Sequence, residues 1–288
     1  MEIHEFIKNN NYAYDKINDK HKILEYYDFE RNIIDLINNN SYSLILKSRQ
    51  MYVSTLLGVY SLYSMINNKK IYYFSHNLNV SRMFLERFRA MAINYDSNIF
   101  VVDNKDEKRF KKGGSIKLLS SDRTSLHSID FDDDVIVIID EADFVKNLNR
   151  LMDEIFRRVD ANDCKIKIIL ASTPQAYKLD YFFNLYSQSI RGETEFKSIK
   201  INYKDSPNYD EIWAEQMKKM LNGDEDMYKT EILAEFIPPR PKIKKLKNNL
   251  IQFRLNDDLF NKLSKKLIER DVNVSTYLRD LIIKDVNK

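Results

Sequence analysis

The run DDDVIVIIDEADFV, residues 132–145, places five apolar residues directly before Asp140 and Glu141. A buried strand that ends in two adjacent acids can support metal-dependent phosphate chemistry. The first acid, Asp140, would hold Mg²⁺ beside the β- and γ-phosphates, and the second, Glu141, would polarise the attacking water. This is the form of a Walker B motif. A buried strand that simply ends in solvated acids has the same pattern, so the motif alone leaves both readings open.

Two further stretches belong to the same chemistry. LKSRQMYVST, residues 46–55, lies between the hydrophobic run SYSLIL and the helix-like LLGVYSLYSMI. A strand, a tight loop and a helix form a place where a nucleotide phosphate rests on free backbone N–H groups. This loop, however, has no glycine and no lysine directly before Ser54. The third stretch, ASTP (Ala171–Pro174), ends the strand KIKIILAS and offers the hydroxyls of Ser172 and Thr173. A plain strand-to-turn ending would look the same. The four histidines, His4, His21, His76 and His127, show no metal-ligand spacing. A single cysteine, Cys164, excludes an internal disulfide and a cysteine-built zinc site, so a reducing cytoplasm is expected.

These stretches need a scaffold, and the hydrophobic pattern supplies one. YYDFERNIIDLINNN predicts an amphipathic helix, SYSLIL a strand and Ser54–Ile66 a helix. IYYFS predicts a strand, Val80–Asn94 a helix, NIFVV a strand, Gly113–Gly114 a turn and SIKLLS a strand. VIVII, LMDEIFRRV, KIKIILAS and DYFFNLYSQS continue the alternation as strand, helix, strand, helix. Continuous apolar runs such as VIVII suit strands buried on both faces. The expected fold is α/β, a mostly parallel sheet with flanking helices. No apolar run approaches the roughly 20 residues of a membrane span, and MEIHEFIKNN lacks a signal-peptide design.

Charge divides the chain. The totals are 46 Lys and Arg and 43 Asp and Glu, but Arg240–Lys288 carries 13 basic against 6 acidic residues, leaving 33 against 37 in residues 1–239. PPRPKIKKLKNN, residues 238–249, reads as a proline-marked basic linker. The expected organisation is a domain over 1–239, a linker over 240–249 and a basic module over 250–288 with an anionic partner.

The ordered set YDFERNII, LILKSRQMYVST, VIVIIDEADF, IILASTP and ILAEFIP resembles the ATPase domain of tailed-phage terminase large subunits over residues 20–239. The resemblance implies a helicase- or terminase-like P-loop NTPase that binds ATP and Mg²⁺. Its motor would push double-stranded DNA into a prohead, with the portal and a small terminase subunit as partners. The setting would be the cytoplasm of an infected bacterium. Carried over onto this sequence, Lys47, Ser48, Arg49, Gln50, Ser54 and Thr55 form the nucleotide loop, with Ser54 and Asp140 on Mg²⁺. Glu141 and Asp140 are catalytic, and Ser172 and Thr173 couple the γ-phosphate state to DNA movement. Tyr27, Phe29 and Arg31 lie on the adenine side, where Glu30 replaces the usual glutamine. The usual glycine and lysine fall at Tyr52 and Val53, which makes the Walker A loop degenerate. Some terminases place the lysine at the start of the loop, where Lys47 stands, and Arg49 is a second cation. Arg123 is the nearest candidate for an arginine finger, although a solvated loop arginine explains it better.

LIQFRLNDDLFNKLSKKLIERDVNVSTYLRDLIIKDV resembles a ribbon-helix-helix DNA-binding module over residues 250–286. That resemblance implies self-association, with Gln252 and Arg254 on base edges and Ser275 as N-cap of the second helix beside a backbone phosphate. A helical hairpin that serves dimerisation alone is the plainer alternative. Large terminases continue into a nuclease domain, for which this chain leaves no room, so no nuclease activity is expected. Two functions follow: a packaging ATPase with added DNA affinity, or a non-catalytic terminase-derived DNA-binding regulator or packaging adaptor.

Overall fold

The computed structural model describes residues 2–15, 20–119, 135–162, 165–239, 255–270 and 272–286. The chain divides into two compact units, Met1–Arg240 and Pro241–Lys288. Arg123, residues 240–249 expected as a linker, Asp271, and Gln252 and Arg254 of the expected strand lie outside the described residues.

The first unit begins with helix α1 (Ile3–Asn10) and a hairpin of β1 (Tyr12–Asp15) and β2 (Lys20–Ile23). Then follow α2 (Asp28–Asn39), β3 (Tyr42–Lys47), α3 (Val53–Ile66), β4 (Lys70–Ser75) and α4 (Leu78–Tyr95). Three short strands come next, β5 (Phe100–Asp103), β6 (Glu107–Phe110) and β7 (Ser115–Leu119). The remainder is β8 (Val135–Asp140), α5 (Leu148–Asn162), β9 (Ile166–Ser172), α6 (Tyr181–Arg191), β10 (Lys197–Ile201), α7 (Glu211–Met220) and α8 (Glu225–Glu231).

Eight strands form one sheet in the order β10-β3-β9-β8-β4-β7-β6-β5. From β10 to β7 all neighbours run parallel, and β6 runs antiparallel to both of its neighbours. Strand β8 shows why. Ile136 and Ile138 enter the core beneath α1 to α4, while Val135, Val137 and Ile139 enter the core beneath α5 and α6. Successive side chains of a strand point to opposite faces, so a strand buried on both sides must be apolar throughout. Gly114 is fixed by close approach: a Cβ there would lie 2.0 Å from the Met65 carbonyl oxygen at the end of α3.

The sheet is thus mostly parallel, with helices on both faces. Several elements lack a counterpart in the hydrophobic pattern: α1, the hairpin, β6, β10, α7 and α8. Helices α7 and α8 close a small cluster of their own around Tyr203, Ala214 and Ile232.

The second unit contributes α9 (Asp257–Arg270) and α10 (Val274–Val286). The Asn256 side chain accepts from Leu259 N–H at 2.9 Å, and Asn273 accepts from Thr276 N–H at 2.9 Å. This corrects the placement of Ser275 as N-cap. Ser275 lies within α10, because Asn273 both precedes the helix and supplies the oxygen its first turn needs. Leu259, Phe260, Leu281, Ile282 and Ile283 are all exposed.

Candidate phosphate-binding site

The carboxyl ends of β3, β9 and β8 lie side by side, because β9 pairs with both of the others. Open parallel sheets bind ligands along this edge. Three sequence motifs meet here: the loop after β3, the acids after β8 and the hydroxyls after β9.

The loop turns into α3 without glycine. Gln50 and Tyr52 adopt left-handed conformations, with φ of 62° and 53°. Each costs about 1–2 kcal/mol for a residue with a Cβ. Thr55 and Leu56 donate their N–H groups to the Tyr52 carbonyl at 2.9 and 3.0 Å. The backbone N–H groups of Gln50, Met51, Tyr52, Val53 and Ser54 have no partner among the described residues. Five consecutive free donors at the positive end of a 14-residue helix form an anion cradle. The Ser48 hydroxyl is also buried without a partner among the described residues.

The acids are held in place. Asp140 accepts from Ser54 Oγ at 2.6 Å and from the Tyr73 hydroxyl at 2.9 Å through Oδ2. Its Oδ1 accepts from the Glu141 N–H at 3.0 Å. Burial, with Asp140 alongside, pushes the Tyr73 phenol well above its ordinary value, so it remains a donor. Glu141 sits in the left-handed region at φ 53° and forms an ion pair with Lys47 at 2.8 Å. Its other oxygen faces the Thr173 hydroxyl at 3.4 Å and the Thr173 N–H at 3.5 Å.

A second set of bonds ties the acidic turn to the ASTP loop. The Asp143 N–H donates to Ser172 Oγ at 3.1 Å, and the Gln175 N–H donates to Asp143 Oδ2 at 2.7 Å. Lys178 donates to the Asp143 carbonyl and lies 3.2 Å from its carboxylate. Burial raises the Asp143 carboxyl, opposed by the Gln175 N–H and by Lys178.

The structure therefore brings together Lys47, Ser54, Asp140, Glu141, Ser172 and Thr173. Arg49 is drawn away to Glu231, at 3.2 Å. Val53, directly before Ser54, is 2% exposed and belongs to the apolar core. Thr55 is buried in the first turn of α3. Phe29 is buried in the core cluster that also contains Met51 and Val53, and the Arg31 guanidinium stacks 4.6 Å over Tyr26. Glu30 is buried and accepts from the Tyr27 N–H at 2.9 Å, with burial raising its carboxyl to about 7. Tyr73, Asp143, Gln175 and Lys178 are part of the arrangement and escaped the sequence reading; Tyr73 alone carried a signal, its place in a strand of the sheet.

A run of free backbone amides opening a helix on a mostly parallel sheet, with an acidic strand end and a hydroxyl loop beside it, is a P-loop-like arrangement. Solved structures that match include phage large terminases. The ATPase domain of the large terminase of Thermus phage P74-26 aligns with a TM-score of 0.60 at 14% identity, covering 74% of this chain and 94% of that one. The large terminase of bacteriophage HK97 aligns at 0.61 and 13% identity, over 82% of this chain and 56% of that one. The large terminase of a further thermophilic bacteriophage, in complex with ADP, aligns at 0.57 and 11% identity, over 74% of this chain and 54% of that one. The chain thus spans most of an isolated terminase ATPase domain and about half of the longer large terminases. No family model and no curated protein matches the sequence.

Proposed function

We propose that this chain is a terminase large-subunit-like ATPase that uses ATP and Mg²⁺ to drive double-stranded DNA into a prohead. One observation carries the reading. A cradle of five free amides stands beside Ser54–Asp140 and beside Lys47–Glu141–Thr173 on a single edge of the sheet. Nucleotide phosphates rest on the amides of Gln50–Ser54, where the dipole of α3 favours negative charge.

The oxygens of Ser54 and Asp140 converge within 2.6 Å, a donor pair that suits Mg²⁺. Bound there, the ion would neutralise phosphate charge as it develops. Lys47 is the cation nearest the acids and replaces the one missing at Val53. When phosphate arrives, Lys47 exchanges Glu141 for the anion, and Glu141 becomes free to orient water. Thr173 contacts Glu141 and so registers the exchange at the end of β9. Phe29 and Arg31 act indirectly in this reading, by packing the segment before α2.

In the same reading residues 1–239 form the ATPase domain and 240–249 a linker. Residues 250–288 form a ribbon-helix-helix module that pairs with a second copy and holds DNA through Gln252 and Arg254. The exposed apolar residues of α9 and α10 support pairing, and the basic excess of the tail supports DNA contact. The portal and small terminase subunit would be further partners, in the cytoplasm of the infected host. Among the described residues no helix is long and apolar enough to cross a membrane.

The test is MgATP binding by calorimetry together with phosphate release in the presence of DNA, portal and proheads. Wild type should bind and turn over. Lys47→Ala should weaken binding roughly ten- to hundred-fold, and Glu141→Gln should bind normally while losing at least roughly hundred-fold in turnover. A folded wild-type protein that binds no nucleotide at millimolar concentration sinks the proposal. The buried Val53 and the ion-paired Arg49 favour one other reading, a DNA-binding packaging adaptor without catalysis. DNA binding that persists with no hydrolysis would select it.

A further inference from the structure

We propose that Tyr209 and Glu231 are positioning residues that hold the phosphate loop in its anion-ready shape, doing from outside what glycines do elsewhere from within. The inference rests on the nucleotide reading of this site. Three successive residues of the loop are tied to one distant segment of chain. The Ser48 N–H donates to the Ile201 carbonyl at 3.1 Å, and the Arg49 N–H donates to the Glu231 carbonyl at 2.7 Å. The Tyr209 hydroxyl donates to the Gln50 carbonyl at 2.8 Å. The Arg49 guanidinium adds an ion pair to the Glu231 carboxylate at 3.2 Å.

The loop needs such a brace. Gln50 and Tyr52 are held in the left-handed region without being glycine, and such residues persist only where the surroundings over-determine them. The brace also aims the donors. In a trans peptide the C=O of one residue and the N–H of the next point in opposite directions. Drawing the Gln50 carbonyl towards Tyr209 therefore turns the Met51 N–H to the other side, into the run of free amides. Tyr209 is itself fixed, with its ring stacked on Trp213 at 4.1 Å and 27°. Burial, with Tyr52 alongside, pushes its phenol up to about 12, so the hydroxyl keeps its proton.

The brace gives Arg49 a role opposite to that of a second phosphate cation. If Arg49 binds phosphate, neutralising Glu231 frees it and tightens nucleotide binding. If Arg49 is an anchor, the same change loosens the loop and weakens binding.

The experiment uses the full chain and the variants Tyr209→Phe, which keeps the ring, and Glu231→Gln, which keeps the shape. MgADP affinity is measured by calorimetry, and amide hydrogen exchange over residues 48–54 is measured without nucleotide. Each variant should weaken MgADP binding about fivefold, the worth of one hydrogen bond. Each should also speed exchange at the Ser48 and Arg49 amides by more than its loss of global stability accounts for. Unaltered affinity and exchange would overturn the proposal, as would tighter MgADP binding by Glu231→Gln. If wild type binds no MgADP, the nucleotide reading fails, while the exchange measurement still decides whether the brace exists.

Discussion

Lys47 at the end of β3 and Glu141 just beyond β8 form a 2.8 Å ion pair that spans the end of the intervening strand β9. The lysine side chain is 7% exposed and the glutamate 26%. Removing one partner of so enclosed a pair leaves the other charge uncompensated. Lys47→Met should therefore cost about 2–4 kcal/mol of stability. The double variant with Glu141→Gln should recover part of that, giving a coupling of about 1–3 kcal/mol in urea unfolding. Purely additive losses would show that the pair contributes nothing.

Val53 directly precedes Ser54, and a lysine placed there should harm the protein. The side chain is 2% exposed within the core that includes Leu56, Leu57 and Met51. Burying an ammonium there costs on the order of 3 kcal/mol or more. Val53→Lys should lower the unfolding midpoint and leave MgATP affinity no better. Tighter nucleotide binding in a stable Val53→Lys protein would contradict the packing.

Glu30 gives the fold a pH dependence. Burial raises its carboxyl to about 7 from an ordinary 4.5, despite the Tyr27 N–H that favours the ionised form. The folded state therefore prefers the protonated acid. The contribution of Glu30 is fully present below pH 4.5 and is lost as pH rises through 7, by roughly 3 kcal/mol in all. Glu30→Gln should be near neutral at about pH 4.5 and stabilising at about pH 8. The comparison of unfolding free energies at the two pH values isolates this group from the rest.

Tyr73 orients the carboxylate that would hold the metal. Its hydroxyl meets Asp140 Oδ2 at 2.9 Å, on the same oxygen that accepts from Ser54. Tyr73→Phe removes one bond and leaves the ring stacked on Phe84 at 3.9 Å. The cost should be about 1 kcal/mol in stability and roughly tenfold in the Mg²⁺ concentration needed for nucleotide binding. Chelation with EDTA should abolish binding in both proteins. A Mg²⁺ dependence unchanged in Tyr73→Phe would remove Asp140 from the metal's surroundings.

Much of the architecture was readable from residue pattern because the central strands are buried on both faces. VIVII and IKIILA admit few alternatives. Strand β6, with the sequence EKRF, and strand β10, with KSIKI, were not readable. Both are short and half-exposed, so polar residues interrupt their apolar signal. The site divides in the same way. Ser54, Asp140, Glu141 and Thr173 follow strand ends, and strand ends can be found from sequence. Tyr209 and Glu231 lie far along the chain from the loop they touch, and no local pattern marks them. Ser275 looked like a cap because serine suits the role, but Asn273 stands one residue before the helix and takes it.

The position of β9 has a mechanical consequence. Its ladders to β3 and β8 run over five and six residue pairs, so the strand ends under Lys47 and Glu141 cannot part without shearing the sheet. The sheet is thus the stiff part of this edge, and movement is left to the loops that leave it. Hydrogen bonds and an ion pair through Ser172 at the end of β9 and through Gln175 and Lys178 tie the loop from Thr173 to Lys178 to the acidic turn. Such contacts can be exchanged one for another, so the loop can shift while the strand ends beneath it stay in register.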